Sequence, residues 1–181
     1  MGSQIQDEIE VKIEVSETEL ESLRVRLKTA GFSKTANRQK EENLLFDFPD
    51  RRLTNSGCAL RLREYGGKIV MTYKGPRKAD PLLKIREEIE TLLTDFNAAK
   101  SIFEAIGLEV TFSYGKYREK YSIEDQSDPV EICIDETPVG NFVEIEGSRR
   151  NIDRFAVLFN WGPDRFIQKN YIDLYQERLG K

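Results

Sequence analysis

Along most of this chain, charged and apolar residues alternate with the two-residue period of a β-strand. Glu8, Glu10, Lys12 and Glu14 alternate with Ile9, Val11, Ile13 and Val15. Arg61 and Arg63 interleave with Leu60 and Leu62, and Lys84, Arg86, Glu88 and Glu90 with Ile85 and Ile89, broken only by Glu87. Lys116 and Arg118 flank Tyr117, and Glu144 and Glu146 flank Ile145. Successive side chains of a strand point to opposite faces, so each run has one charged and one aliphatic face. These patterns predict eight strands, near 5–15, 34–47, 58–65, 68–75, 83–91, 110–123, 130–136 and 141–147.

Helical periodicity interrupts the strands. Ser16 followed by Glu19 is a capping-box pattern, after which Leu20, Leu23 and Leu27 share one face and Gly31 stops the helix. A second helix starts near Thr94, presents Phe96, Ala99, Ile102, Phe103 and Ile106, and ends at Gly107. A third runs from about Ser148 to Asn160, with Ile152, Phe155 and Phe159 on one side, before Gly162-Pro163. A short terminal helix from Tyr171 to Leu179 is expected to dock on the outside. Tyr65-Gly66-Gly67 reads as a hairpin link, and Gly75 to Pro81 as a longer polar loop. Nothing resembles an interdomain linker, so residues 1–181 are expected to form a single domain.

In a two-layer protein the apolar faces would point inward and the charged faces to water. Here, however, three amphipathic helices also need apolar sheet to cover. If eight strands close a barrel, the aliphatic faces lie outward under the helices and the charged faces inward, around room for side chains or one small ligand. The signs are also segregated. The first and last strands supply carboxylates two apart and the middle strands supply arginines and lysines two apart, each pair projecting about 6–7 Å apart on one face. The expected fold is therefore α+β, a closed antiparallel eight-stranded β-barrel with helices packed on the outside.

Composition narrows the chemistry. The chain of 181 residues is 33% charged, above the roughly 25% of an average domain, yet its net charge is only -4. That balance argues against a nucleic-acid binder, which shows a clustered basic surplus. No histidine is present, which excludes His-based acid–base catalysis, catalytic triads and His-ligated zinc. Cys58 and Cys133 stand alone in apolar runs and read as small buried residues. No apolar run approaches the ~18–20 residues of a membrane span. Met1-Gly2-Ser3-Gln4 lacks signal-peptide character, so a cytoplasmic protein without membrane or nucleic-acid partners is expected.

Charges enclosed by a barrel cost several kcal/mol per ion unless paired or bound. A polyphosphate satisfies both signs, because its oxygens take Arg and Lys donors directly and reach carboxylates through divalent cations. Oxygen-only ligands select Mg²⁺ or Mn²⁺. The alternative for every such residue is an ordinary salt bridge.

The ordered motifs carry a family resemblance. Glu8-Ile9-Glu10-Val11-Lys12 is similar to the ExExK signature of CYTH proteins, also called triphosphate tunnel metalloenzymes. Leu45-Phe46-Asp47, Pro49, Leu53, Gly57 and Ala59-Leu60-Arg61-Leu62-Arg63 resemble the next family segment, and Thr72-Tyr73-Lys74-Gly75-Pro76 the TYKGP strand end. Arg86-Glu87-Glu88-Ile89-Glu90, Lys116-Tyr117-Arg118-Glu119-Lys120-Tyr121, and Asp135 with Phe142-Val143-Glu144-Ile145-Glu146 complete the series. The resemblance implies a triphosphate held in the barrel by Lys12, Arg61, Arg63, Lys74, Arg86, Lys116 and Arg118. It implies Mg²⁺ or Mn²⁺ on Glu8, Glu10, Glu144 and Glu146, with Asp135 as a further acidic contributor. Lys12, Glu88 and Glu90 are its candidate catalytic residues, the two glutamates orienting the cations or touching a metal-bound water. Glu14, Glu131 and Lys120 are expected near the mouth or in water. Asn43-Leu44-Leu45 departs from the family's D-T-Y, without removing a metal or triphosphate ligand.

The family contains bacterial class IV adenylyl cyclases, thiamine triphosphatases and inorganic triphosphatases. The TYKGP and FVEIEG segments are more similar to the cyclase branch, which implies conversion of ATP to cyclic AMP and pyrophosphate. The alternatives are an inorganic or thiamine triphosphatase releasing orthophosphate, and a non-catalytic triphosphate- or polyphosphate-binding module. The substrate is thus expected to be a nucleoside triphosphate or inorganic triphosphate. A homodimer is compatible with the sequence, since homodimers are common.

Overall fold

The computed structural model describes residues 5–123 and 127–180. Met1-Gly2-Ser3-Gln4, read above for signal-peptide character, lies outside the described residues. The elements run β1 (Ile5–Val15), α1 (Glu17–Thr29), β2 (Ser33–Asp47), α2 (Arg52–Asn55), β3 (Ala59–Tyr65), β4 (Lys68–Lys78) and β5 (Lys84–Leu93). They continue with α3 (Phe96–Ala105), β6 (Glu109–Ser122), β7 (Val130–Thr137), β8 (Gly140–Gly147), α4 (Arg149–Leu158), β9 (Phe166–Ile167) and α5 (Tyr171–Leu179). Strand order is β5-β4-β3-β2-β6-β7-β8-β1, and β5 pairs with β1, so the sheet closes into an eight-stranded antiparallel barrel with the helices outside. The two-residue β9 adds to β1, with Ile167 opposite Lys12 and Phe166 opposite Ile13. No helix among the described residues is long and apolar enough to cross a membrane.

The chain divides into two compact units. The first holds the described residues up to Glu8, Lys40–Ala79 and Ile85–Gly115. Its core is built as the alternation requires. Phe46 and Leu62 turn toward Ala99 and Phe103 of α3, joined by Leu108, with Leu44, Leu60, Ile69 and Met71 around them. The rings of Phe46 and Phe103 meet edge to face at 5.0 Å. Asp95 caps α3 by accepting from the Ala98 N–H at 2.9 Å. The β3–β4 hairpin turns on Gly66 (φ 59) and Gly67 (φ 72), the left-handed pair that a tight two-residue hairpin link demands.

Two features of this unit depart from the sequence-based expectation. β4 continues through Pro76 to Lys78, where a loop was expected. The register shifts between Lys74 and Arg77, and such a bulge lets a proline, which lacks an N–H, sit within a strand. Helix α2 was not expected, and buried Asp47 holds it. The Asp47 carboxylate accepts from the N–H groups of Phe48, Leu53 and Thr54 at 2.7, 3.0 and 2.9 Å, and from the Thr54 hydroxyl at 2.7 Å.

The second unit holds Ile9–Gln39, Asp80–Lys84 and the chain from Lys116 onward. Val11 and Ile13 of β1, Ile132 and Ile134 of β7, and Val143 and Ile145 of β8 are buried, as are Leu20, Leu23 and Leu27 of α1 and Ile152 and Phe155 of α4. The capping box of Ser16 and Glu19 forms as the sequence predicts. Charge pins α1 in place. Arg24 donates to Glu119 of β6 at 2.5 Å and Glu136 of β7 at 3.1 Å, and Arg26 donates to the Leu158 and Phe159 carbonyls behind α4. Cys133 is buried, whereas Cys58 is half-buried, and both are free thiols.

Replacing Asp47 by alanine leaves the N–H groups of Phe48, Leu53 and Thr54 and the Thr54 hydroxyl without their acceptor. Asp47→Ala is expected to cost about 2–3 kcal/mol, measured as a lowered urea midpoint with an unchanged denaturant slope. A midpoint equal to wild type would show that the turn holds itself.

Candidate functional site

In each unit, the strand faces turned away from the helices carry paired charges. In the first unit, ladder pairing places Arg61 opposite Thr72, Thr72 opposite Glu90, and Lys74 opposite Glu88. Arg61 Nη2 lies 3.3 Å from the Thr72 hydroxyl, 3.5 Å from Glu90 and 3.8 Å from Glu88. Arg63 reaches Glu90 at 3.3 Å and the fully buried Glu41 at 3.7 Å. The Thr72 hydroxyl donates to Glu90 at 2.6 Å. Lys74 Nζ donates to Glu8 at 2.7 Å and Glu88 at 3.2 Å.

The proton affinities follow from these neighbours. Burial, reinforced by the Glu88 carboxylate, raises the Glu8 pKa against the pull of Lys74. Burial works the same way on Glu90, but Arg63, the Thr72 hydrogen bond and Arg61 outweigh it and hold that carboxyl low. Burial disfavours the Arg61 charge, yet Tyr114, Glu41, Glu88 and Glu90 raise its pKa further.

The second unit has its own cluster. Asp135, with 0% of its surface exposed, accepts Lys116 Nζ at 2.8 Å, Arg118 Nε at 2.6 Å, Arg118 Nη2 at 2.5 Å and the Tyr171 hydroxyl at 2.5 Å. Arg118 also donates to Glu144, whose other oxygen lies 3.3 Å from Lys12 Nζ. Lys84 Nζ donates to Glu10 at 3.0 Å. Lys12 is only 1% exposed. Its ammonium sits 3.6 Å from the Tyr171 ring centroid and 3.4 Å from the Lys169 carbonyl oxygen. Burial, helped by Lys84 and Lys116, lowers the Lys12 pKa to about 7 against the opposing pull of Glu144 and Glu10. Burial also disfavours the Glu144 charge, but Arg118, Lys12, Lys116 and Lys84 hold that carboxyl far below its usual range.

Not every residue of the expected set is engaged as its motif suggests. Arg86 spends its guanidinium on backbone, donating to the Gly75 carbonyl at 2.9 and 2.6 Å and to the Gly57 carbonyl at 2.9 Å, which braces the β4 bulge. Asp135 accepts four hydrogen bonds, three on Oδ2 and one on Oδ1. Glu14 pairs with Arg178 at an exposed position, and Lys120 with the partly exposed Glu131. Conversely, Glu41, Thr72, Lys84 and Tyr171 belong to the clusters without having been singled out. Lys84 lies in the alternating run itself, and Thr72 in the TYKGP segment. Glu41 sits in a continuously polar stretch and Tyr171 on a helix, where no period-two signal marks them.

The donor chemistry of the second unit fits a hard divalent ion. Glu10 stands opposite Glu146 across β1–β8, and Glu146 opposite Glu131 across β8–β7. Like charges directly opposite repel; Lys84 on Glu10 and Lys120 on Glu131 offset part of that cost, and a divalent cation would offset it further. Among the described residues, no three or more Asp, Glu or Cys side chains assemble into a complete metal cage. Mg²⁺ is ordinarily held by one or two carboxylates together with substrate phosphates, so paired glutamates suffice.

The depressed Lys12 pKa has a stability consequence whose sign is fixed. Below pH 7 both states hold the proton. Between about 7 and the ordinary lysine value of 10.5 the unfolded chain holds it and the folded chain releases it, so stability rises with pH. In ligand-free protein, the difference in thermal midpoint between wild type and Lys12→Met is expected to move in favour of wild type from pH 7 to 8.5. A constant difference would refute the lowered pKa.

Comparison with known proteins agrees with this architecture. The CYTH domain pattern matches residues 6–160. A Methanocaldococcus jannaschii protein named "putative adenylate cyclase" is 33% identical over 177 residues, covering 92% of this chain and 98% of that one. The structure of a Vibrio parahaemolyticus protein with the same designation superposes with a TM-score of 0.78 at 24% identity, covering 96% of this chain and 99% of that one. A Pyrococcus horikoshii protein follows at 0.75 and 27%, covering 94% and 98%. A Hippeastrum protein, described as a putative adenylyl cyclase with a dominant triphosphatase activity, gives 0.68 at 16%, covering 94% and 95%. By the CYTH pattern over most of its length and by this 33% identity, the chain belongs to the CYTH domain family.

Proposed function

We propose that this protein is a divalent-metal-dependent enzyme acting on a triphosphate, and that its reaction is the cyclisation of ATP to cyclic AMP and pyrophosphate. The observation that carries the reading is the buried lysine of the ExExK segment, whose proton affinity falls near neutrality beside further lysines and an arginine. Arg61, Arg63 and Lys74 in the first unit, and Lys116 and Arg118 in the second, are assigned to phosphate oxygens. Each is already oriented by a carboxylate, and the N–H donors it has to spare can take a phosphate oxygen in charge-assisted hydrogen bonds. Asp135 is assigned to orienting Lys116 and Arg118, and Arg86 to bracing the strand rather than to gripping phosphate. Glu88 and Glu90 align Lys74, Arg61 and Arg63.

Glu8, Glu10, Glu144 and Glu146 are the residues that would hold Mg²⁺ or Mn²⁺, which when bound supplies neutralisation of phosphoryl charge. In the cyclase reaction the ribose 3′-oxygen bonds to the α-phosphorus, the bond to the pyrophosphate oxygen breaks, and the hydroxyl proton passes to neutral Lys12. A general base of such affinity contributes about 10²–10⁴-fold. The 33% identical relative carries a cyclase name, which favours this reaction. The Hippeastrum protein, with its dominant triphosphatase activity, favours a second reading, in which water attacks the terminal phosphate.

Thermal unfolding with tripolyphosphate, ATP or thiamine triphosphate, each with and without Mn²⁺, tests the reading. A ligand at ~100 times its dissociation constant adds about 2.7 kcal/mol, and cyclic AMP with pyrophosphate is the expected product from ATP. Orthophosphate alone would replace the cyclase with the triphosphatase, and no shift with any triphosphate would end both. Glu10→Gln is expected to keep triphosphate binding and to lose turnover by about 10²-fold or more. Binding by wild type without turnover would leave only a binding module.

A further inference from the structure

The family pattern ends at residue 160, yet a later segment reaches into the second unit's charged cluster. β9 lies on β1 with Ile167 directly opposite Lys12. Two residues on, the Lys169 carbonyl oxygen accepts from Lys12 Nζ at 3.4 Å. Asn170 then caps α5, exchanging hydrogen bonds of 2.9 Å with Asp173 in a reciprocal capping box. That box fixes the direction in which the first helical residue, Tyr171, leaves the backbone.

Tyr171 is used at both ends. Its ring centroid lies 3.6 Å from Lys12 Nζ and 4.5 Å from Lys116 Nζ, and Phe142 packs against the ring edge to face at 5.8 Å. Its hydroxyl donates to Asp135 at 2.5 Å, the carboxylate that also gathers Lys116 and Arg118. One side chain therefore touches two of the cluster's lysines through its π face and their shared anion through its oxygen. An aromatic face is a weak, non-titrating partner for an ammonium. It holds Lys12 in place without supplying a second full negative charge.

We infer that Tyr171 is a positioning residue of the active site. Its ring seals and locates Lys12, its hydroxyl holds Asp135 so that Lys116 and Arg118 are set for phosphate, and the segment from Phe166 to Leu179 completes the site. The kinetic part rests on the triphosphate reading, while the structural part does not. The two ends of the side chain are separable by mutation. Tyr171→Phe keeps the ring and removes the hydroxyl, whereas Tyr171→Leu removes the ring as well.

The test combines lysine acylation by acetic anhydride, located by peptide mass spectrometry, with steady-state kinetics on the triphosphate that wild type turns over. Lys12 is expected to be protected in wild type and in Tyr171→Phe, and labelled at least about tenfold faster in Tyr171→Leu, as the loss of a sealing ring implies. Lys84, buried on Glu10, reports whether the fold is intact. Tyr171→Phe is expected to raise KM several-fold at near-constant kcat, and Tyr171→Leu to lower kcat by at least about tenfold, the scale of a misplaced catalytic group. Equal Lys12 labelling in wild type and Tyr171→Leu, with Lys84 protected in both, overturns the inference. If Lys84 labels too, Tyr171→Leu has unfolded and Tyr171→Phe decides alone, a KM equal to wild type then overturning it. If wild type turns over no triphosphate, the proposed reaction fails, and the labelling arm still judges whether Tyr171 seals Lys12.

Discussion

Everything in this structure turns on how charge is kept away from water. An isolated ion taken out of solvent costs several kcal/mol, and an ion pair recovers this only when its remaining hydrogen-bonding capacity is also filled. Asp135 meets that condition with two cations and a tyrosine on its two oxygens. Glu144 meets it with Arg118 and Lys12. Lys12 meets it least completely, with a single carboxylate, a carbonyl and an aromatic face. Of these three groups it is the one whose charge is supported most weakly, and its proton affinity falls accordingly.

The strand architecture follows from the same constraint. Closing the sheet through the β5–β1 pairing lets strands such as β1, β3 and β8 pack their aliphatic faces into the core and their charged faces against other charges. Neither face works without the other. Leu62 can pack with Phe103 only because Arg61 and Arg63, one position either side, find Glu88, Glu90 and Glu41. Such clusters are paired between strands, Lys74 with Glu8 and Glu88, and Arg118 with Asp135 and Glu144. Within this frame some motif residues serve the scaffold. Asp47 organises a turn through backbone donors, and Arg86 braces a bulge through backbone acceptors.

Much of this was legible in the chain because a strand's period of two is a local property. Lys12 against Val11 and Ile13, or Glu144 against Val143 and Ile145, declares its face without reference to any other residue, and the helix caps at Ser16 and the Gly66-Gly67 link are equally local. Alternation also assigned Arg61, Arg63, Lys116 and Arg118 to the charged faces, while Lys74 was marked by the TYKGP resemblance. Glu41 was hidden because its neighbours are polar on both sides, and Tyr171 because a helical residue far along the chain carries no mark of the strand it will touch. Pro76 read as a loop because its missing N–H normally ends a ladder, and only the register shift beside Lys74 accommodates it.

By itself, then, the sequence determined the eight barrel strands and the longer helices, the charged and aliphatic faces of the alternating runs and the absence of any histidine from the chemistry, since these depend on residue type and spacing alone. The tertiary structure decided the partners. Which carboxylate neutralises Lys74, which donors reach Asp135, and how a residue 159 positions after Lys12 comes to cover it all depend on strand register and chain return. Charge pairing acts over a few ångströms, and only the folded backbone brings residues so distant in the chain within that range.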